Sequence, residues 1–417
     1  MISRTYSKRL ADRYLNDLLA EFPAVMITGP RAAGKTTTAS QHAAQVDRLD
    51  QPSAAASYRA DPDAALRRGA RPLLLDEWQE VPAVLAAVKR AVDANPEPGQ
   101  FILTGSVRAE LQNETWAGTG RAVRMSMYPL VERELQVSAD LGAPSFIERF
   151  AAGGIDAISL PADLPSIDGY VELALRGGFP EVVWRDRTAL QRGVWLQSYI
   201  DDLVTRDARV LDAAKDPTKL RRYLNAIAHN NAGMPTDATL YRAAGVNAKT
   251  AAAYDQLLRN LYVLDVLPAW TNSRIDRLVR AGKRYVIDTG LAGTAAGVSV
   301  QDLLNDADLL GRYFDAFGTA QLRAEAVFMQ PRPALYHLRT EAGRQEVDLV
   351  VEFGARKLLG FEFKAGAAPG ASDARHLINL RDRLGADFVR GAVLHSGTNI
   401  YPLAERIFAV PLCAVWG

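Results

Sequence analysis

Gly29-Pro30-Arg31-Ala32-Ala33-Gly34-Lys35-Thr36 is the feature that most limits what this chain can fold into. It follows an apolar run with strand character, Ala24-Val25-Met26-Ile27-Thr28, and opens a helical stretch from Thr36 to Ala44. In a Gly-x4-Gly-Lys-Thr loop so placed, each fixed position has a mechanical reason. The glycines let backbone N–H groups curl round a β-phosphate, the lysine reaches the β- and γ-phosphates, and the hydroxyl holds Mg²⁺. Gly29, Pro30, Arg31, Ala32, Ala33, Gly34, Lys35, Thr36 and Thr37 are therefore the expected nucleotide contacts, with ATP and Mg²⁺ as cofactors.

Two further apolar runs, Leu73-Leu74-Leu75 and Phe101-Ile102-Leu103, are separated by a helical stretch from Val81 to Asn95. They read as the second and third strands of a parallel sheet with crossover helices, and Leu10 to Phe22 reads as a helix leading into the first. Asp76 ends the second strand, where its carboxylate can hold magnesium with Thr36. Glu77 beside it can polarise the attacking water. Thr104-Gly105-Ser106 ends the third strand and places hydroxyls, Ser106 among them, where a γ-phosphate sensor is expected; an ordinary strand-ending turn is the plain alternative.

At 417 residues the chain is too long for one ordinary core, so two or more domains are expected. Apolar runs such as Pro72 to Leu75 and Val347 to Glu352 fall far short of the roughly 20 residues that cross a bilayer, which argues against a membrane partner. Asp12, Asn16 and Asp17 interrupt any apolar stretch a leader peptide would need. The single cysteine, Cys413, forms no internal disulfide, and the histidines show no metal-site spacing, so a reducing cytoplasm is the expected compartment. Net charge is +1, yet Leu203 to Arg284 holds 14 Lys or Arg against 7 Asp, which makes the middle third the place where a polyanion would be drawn. A solvated basic face is the bland alternative.

Ile27-Thr28-Gly29-Pro30-Arg31, Leu75-Asp76-Glu77-Trp78-Gln79, Leu103-Thr104-Gly105-Ser106, Gly120-Arg121 and Met127-Tyr128-Pro129-Leu130 together resemble the prokaryotic AAA-type ATPases that carry a C-terminal domain of unknown function, DUF4143. The resemblance covers nearly the whole chain. It implies an ASCE-type core with Glu77 as catalytic base. It also makes Gly177-Gly178-Phe179-Pro180 similar to a lid motif that approaches the adenine, with Pro180 as a contact. Arg121 is the arginine-finger candidate, with Arg108 and Arg124 as competitors; a finger would imply a homo-oligomer.

In the middle third, Ala238 to Asn247 has the form of a helix, a glycine turn and an N-cap for a second helix. That second helix carries Thr250, Tyr254, Leu257, Leu258 and Leu261 on one face and Lys249, Ala252 and Gln256 on another. A hairpin-like pair follows, Val263 to Trp270 and Lys283 to Asp288, with Arg274, Arg277, Arg280, Lys283 and Arg284 in and beside its loop. The reading is a winged helix with Lys249 and these residues contacting DNA, chiefly its phosphates. The alternative is an intramolecular lever.

Near the C-terminus, Asp348 stands on one strand and Glu362 and Lys364 on the next, where i and i+2 share a face. Two carboxylates can hold Mg²⁺ while a lysine positions water. The pattern resembles the PD-(D/E)xK nuclease fold, in which an upstream helix supplies another acid. Asp315 stands where glutamate is usual.

The expected architecture is α/β: a P-loop AAA-like ATPase core over residues 1–135, a helical lid over 136–204, a winged helix over 205–295, and a PD-(D/E)xK-like α/β domain over 300–417. The leading functional expectation is ATP hydrolysis coupled to DNA binding or remodelling. The alternatives are a nucleotide-gated Mg²⁺-dependent nuclease and an ATP-dependent switch in signalling or toxin control.

Overall fold

The computed structural model describes residues 6–105, 120–136, 140–185, 187–207, 216–271, 281–340, 345–354 and 356–417. The chain forms two compact units, one of Met1–Leu130 with Leu257–Val263, the other of Val131–Gln256 with Leu264–Gly417.

The first unit is built on a parallel sheet of β1 (Ala24–Thr28), β2 (Gln45–Arg48), β3 (Leu73–Asp76), β4 (Phe101–Gly105) and β5 (Val123–Ser126), in the order β2-β3-β4-β1-β5. Every residue of β1, β3 and β4 is buried, as parallel strands covered on both faces must be, which is why they read as unbroken apolar runs. β4 lies between β1 and β3, so the loop after β1 and the acidic end of β3 emerge along one edge of the sheet. The sheet has two strands more than the apolar runs mark, and the runs ending in Asp76 and Gly105 are therefore the third and fourth strands. β2 and β5 are the edge strands, half-exposed and polar (Gln-Val-Asp-Arg and Val-Arg-Met-Ser), so they lack the apolar signal that marks a strand in sequence.

After the one-turn helix Glu132–Leu135, the second unit has longer helices at Phe146–Gly153, Ile167–Arg176 and Ala189–Asp202. Pro217–His229 and Asp237–Ala244 follow, then Ala248–Asn260, of which the second unit holds the part up to Gln256. Gly245, at φ 65°, ends the middle helix of that second set in the left-handed conformation, and the Asn247 side chain accepts the Thr250 N–H at 2.8 Å to start the next. On this helix-turn-helix Lys249, Ala252 and Gln256 are exposed, Thr250 is half-buried and Tyr254 is buried. An antiparallel pair completes it, β6 (Leu264–Leu267) with β7 (Lys283–Val286).

A six-stranded mixed sheet closes the chain: β8 (Ala334–Arg339), β9 (Glu346–Phe353), β10 (Lys357–Lys364), β11 (Phe388–His395), β12 (Tyr401–Ala404) and β13 (Ile407–Pro411), in the order β12-β13-β11-β10-β9-β8. The short edge strand β12, with a proline, has no strand signal in the sequence. Leu349, Val351, Phe361 and Phe363 pack with Phe314, Phe317 and Leu322 of the helix Ala307–Ala326. On the other face Val347, Val350 and Leu358 pack with Leu377 and Leu380 of the helix Arg375–Leu384. Each such fully buried side chain contributes about 1.5–3 kcal/mol. Gly318 lets the long helix lie directly on the Phe363 ring; any Cβ there would overlap it.

The β8–β9 ladder is irregular at one point. Tyr336 pairs with Val350 and Leu338 with Val347, so β9 carries an extra residue at Asp348 and Leu349, while the β9–β10 ladder runs only as far as the Leu349–Phe361 pair. Bulges re-aim side chains in this way. Among the described residues no helix is long and apolar enough to cross a membrane.

Candidate functional site

The loop after β1 is shaped by backbone conformations that ordinary residues resist. Gly29 has φ 147°, Ala32 φ 60° and Gly34 φ 96°, and a Cβ on Gly29 would overlap the Met127 carbonyl. Arg9, which carries no motif signal in the sequence, is almost fully buried and ties this loop down. Its guanidinium donates to the Ala33 carbonyl at 3.0 Å and to the Tyr128 carbonyl at 3.0 Å.

Lys35 begins the helix Lys35–Gln41 and is 5% exposed. Its ammonium donates to the carbonyls of Gly29 (3.0 Å) and Pro30 (2.7 Å). Burial lowers its pKa to about 8, with the charges of Glu77 and Asp76 opposing the fall. A buried cation whose hydrogen bonds go to neutral carbonyls is matched to an incoming anion. Thr36 donates its hydroxyl to Asp76 Oδ1 at 2.7 Å, and Thr104 donates to the same oxygen. The hydroxyl and carboxylate that would share Mg²⁺ are thus already adjacent, so the loop, Lys35, Thr36 and Asp76 fit a magnesium-bound nucleoside triphosphate.

Glu77 follows β3 at φ 54°, a conformation uncommon outside glycine and asparagine and frequent at functional sites. The Gln79 amide donates to its carboxylate. Gly105 lies against Trp78, whose Nε1 a Cβ would approach to 2.5 Å. Thr37 is exposed and Arg31 half-buried at the loop. Arg121 pairs with Asp93 of the helix Ala83–Ala94 at 2.7 Å, both side chains partly exposed. Ser106 and Arg108 lie outside the described residues.

In the second unit, the Gly177-Gly178-Phe179-Pro180 segment is held by Asp288. The Gly178 N–H donates to Asp288 Oδ2 at 2.7 Å, and Gly177 has φ 71°. Phe179 is buried against Trp195 and Tyr199, and Pro180 opens the one-turn helix Pro180–Val183.

The basic residues assigned to DNA divide. Lys249 is exposed. Arg274, Arg277 and Arg280 lie outside the described residues. Lys283 and Arg284 need correction, because neither is presented to solvent as a wing contact. Arg284 donates to Asp237 at 2.7 Å and to Asp255 at 3.1 Å, pinning β7 to the helix-turn-helix. Lys283 is 3% exposed and lies between Asp315 and Asp348.

The carboxylates near the C-terminus do come together, but round that lysine. Lys283 Nζ donates to Asp315 Oδ2 and, at 2.9 Å, to Asp348 Oδ1. Asp315 Oδ1 accepts from Tyr285 (3.2 Å) and Thr319 (3.0 Å). Asp348 Oδ2 takes the Phe363 N–H at 3.1 Å, in place of a rung of the strand ladder. Burial opposes the charge on Lys283, but Asp315 and Asp348 hold it well above its ordinary range. Glu362 is 3% exposed and is pushed well above the carboxylate range, first by burial and then by the charge of Asp348; it is 3.9 Å from Lys364. With Lys283 already between Asp315 and Asp348 and each of their oxygens engaged, the cluster does not fit a divalent cation. A cleft of about 920 Å³ opens on it, lined also by Arg312, Arg339 and Lys364.

Comparisons with known proteins match three stretches of the chain. Residues 21–136 match a family described as an AAA domain, 167–302 a domain of unknown function, DUF8612, and 310–415 the domain of unknown function DUF4143. The chain is 28% identical over 412 residues to the uncharacterized protein Rv2008c of Mycobacterium tuberculosis, covering 97% of this chain and 83% of that one. The uncharacterized protein Mb2031c of Mycobacterium bovis matches with the same figures, 28% identity over 412 residues. Among solved structures, the Walker-type ATPase PABY2304 of Pyrococcus abyssi aligns with TM-score 0.42 and 13% identity, over 70% of this chain and 98% of that one.

Proposed function

We propose, for a chain that joins an AAA domain to a C-terminal DUF4143 domain and so falls with the AAA-type ATPases of that arrangement, that it hydrolyses ATP and couples turnover to DNA. The observation that carries the hydrolytic part is the convergence of Lys35, Thr36, Asp76 and Glu77 at one edge of the sheet. Lys35 neutralises the β- and γ-phosphates, Thr36 and Asp76 hold Mg²⁺, and Glu77 orients water for in-line attack. A magnesium ion held by Thr36 and Asp76 would supply charge stabilisation for the transferred phosphoryl group. Arg121 is the residue we assign to a neighbouring subunit's nucleotide. Its pair with Asp93 is exposed, of a kind worth little to stability.

The DNA part rests on the helix-turn-helix and its exposed Lys249 face. With Lys283 and Arg284 committed to internal carboxylates, contact falls to Lys249 and the arginines at 274, 277 and 280. Phosphate contacts would dominate, so affinity should fall steeply with salt.

ATP turnover measured across single-stranded, duplex and branched DNA, with Glu77→Gln as the inactive control, tests the whole reading. Stimulation of wild-type turnover by at least one DNA form supports coupling. Turnover untouched by any DNA, with no binding at low salt, removes the DNA part and leaves the ATPase. Turnover that survives Glu77→Gln removes the assignment of the base.

A further inference from the structure

The carboxylate cluster of the second unit has the residues of a metal-dependent nuclease and the wiring of something else. Its acids come from three elements: Asp315 from the helix Ala307–Ala326, Asp348 from the extra-residue segment of β9, and Glu362 from β10. Two features bring them within reach of one another, the close seating of Gly318 on Phe363 and the local opening of the β9–β10 ladder. A bridging cation is what two buried aspartates so placed demand. A fourth element supplies it: β7 carries Lys283 into the cluster, with its ammonium on both aspartates.

We infer that Lys283 takes the place of the divalent cation, so that Asp315 and Asp348 bind strand β7 through an internal ammonium and the DUF4143 cleft is not a metal-dependent nuclease site in this chain. The second bond of each aspartate points the same way. Tyr285, on the same strand as Lys283, and Thr319 engage the other oxygen of Asp315, while the Phe363 N–H engages the other oxygen of Asp348. The neighbouring residue on β7 explains what the lock is for. Strand alternation sends Arg284 to the opposite side, where it grips Asp237 and Asp255 of the helix-turn-helix. One strand thus clips the helix-turn-helix to the C-terminal sheet with two adjacent cations, and acids arranged for cleavage serve as its socket.

Binding of Mn²⁺ to the full chain, followed by the paramagnetic resonance of the free ion without nucleotide, tests this. Wild type and Asp348→Asn should bind the same number of Mn²⁺ ions, because the cluster takes none. Lys283→Gln should gain one ion that is lost again in Lys283→Gln combined with Asp348→Asn. A wild-type Mn²⁺ site, or Mn²⁺-dependent DNA cleavage, that disappears on Asp348→Asn overturns the inference. So does a folded Lys283→Gln protein that gains no ion. If Lys283→Gln fails to fold, the wild-type and Asp348→Asn pair still decides the matter, since that pair alone shows whether the cluster binds metal.

Discussion

Two buried lysines divide this molecule. Lys35 in the first unit and Lys283 in the second are both under 6% exposed, and both lie near two acidic residues. Lys35 hydrogen-bonds to backbone carbonyls, and its pKa falls to about 8. Lys283 hydrogen-bonds to two carboxylates, and its pKa rises. A lysine held by carbonyls keeps its positive charge on offer to a phosphate. One clamped by carboxylates has its countercharge already. The same side chain therefore makes a binding site in one place and a structural pin in the other.

The sharpest break of that comparison lies in the first unit. If the Lys35 loop is a working hydrolytic site, Glu77→Gln should lower turnover by about 10²- to 10⁴-fold while nucleotide binding persists. Turnover and equilibrium binding of a fluorescent nucleotide, measured on the same preparation, separate the two effects. The second unit should respond in stability. Lys283→Met leaves Asp315 and Asp348 buried without their shared cation, at a cost of about 3–5 kcal/mol in urea unfolding. Much of this should return when Asp348→Asn is added, because the unpaired charge is then removed.

How each lysine is held is unequally legible in the sequence. Gly29, Gly34, Lys35 and Thr36 act through local backbone geometry, so spacing alone carries them, and Asp76 and Glu77 follow from an apolar run with an acidic end. A charge count makes Lys283 a solvent-facing wing residue, because it cannot see strand parity or distant partners. Its carboxylates lie 32 and 65 residues further on, and one of them is aimed by an extra residue in β9 that no periodicity announces. Arg9 is hidden for a similar reason. Its partners are main-chain carbonyls, one 24 and one 119 residues away, and carbonyls leave no side-chain signature. The edge strands β2 and β5 show a third limit, since a half-exposed polar strand has no apolar run to find.

The two lysines should also differ in their answer to pH. Lys35 titrates near 8 in the free protein, and a triphosphate favours its charged form, so nucleotide binding takes up a proton once the pH exceeds about 8. Affinity should then fall toward roughly tenfold per pH unit above that point, measured with Glu77→Gln to prevent turnover. The sign is opposite for the free protein's stability. Because the unfolded chain holds the Lys35 proton up to about 10.4, the first unit gains stability as pH rises from about 8 toward that value. Lys283, with its pKa raised, contributes stability that is complete below about 10.4 and lost as the pH climbs above it. An affinity flat from pH 7 to 10 would show that Lys35 keeps its proton throughout.

The smallest effect concerns what holds the first lysine's loop. Arg9 spreads two nitrogens of a planar fork over the Ala33 and Tyr128 carbonyls, and a lysine in its place keeps the charge but cannot span both. Arg9→Lys should lose about one hydrogen bond, roughly 1 kcal/mol, and weaken nucleotide binding by about fivefold. The loop amides that would surround the β-phosphate are the groups displaced, so catalysis by nucleotide already bound should change less than affinity. A variant that lowers the maximal rate at saturating nucleotide and leaves affinity unchanged would instead place Arg9 on the water-activating side of the site, and the loop would owe its shape to its glycines alone.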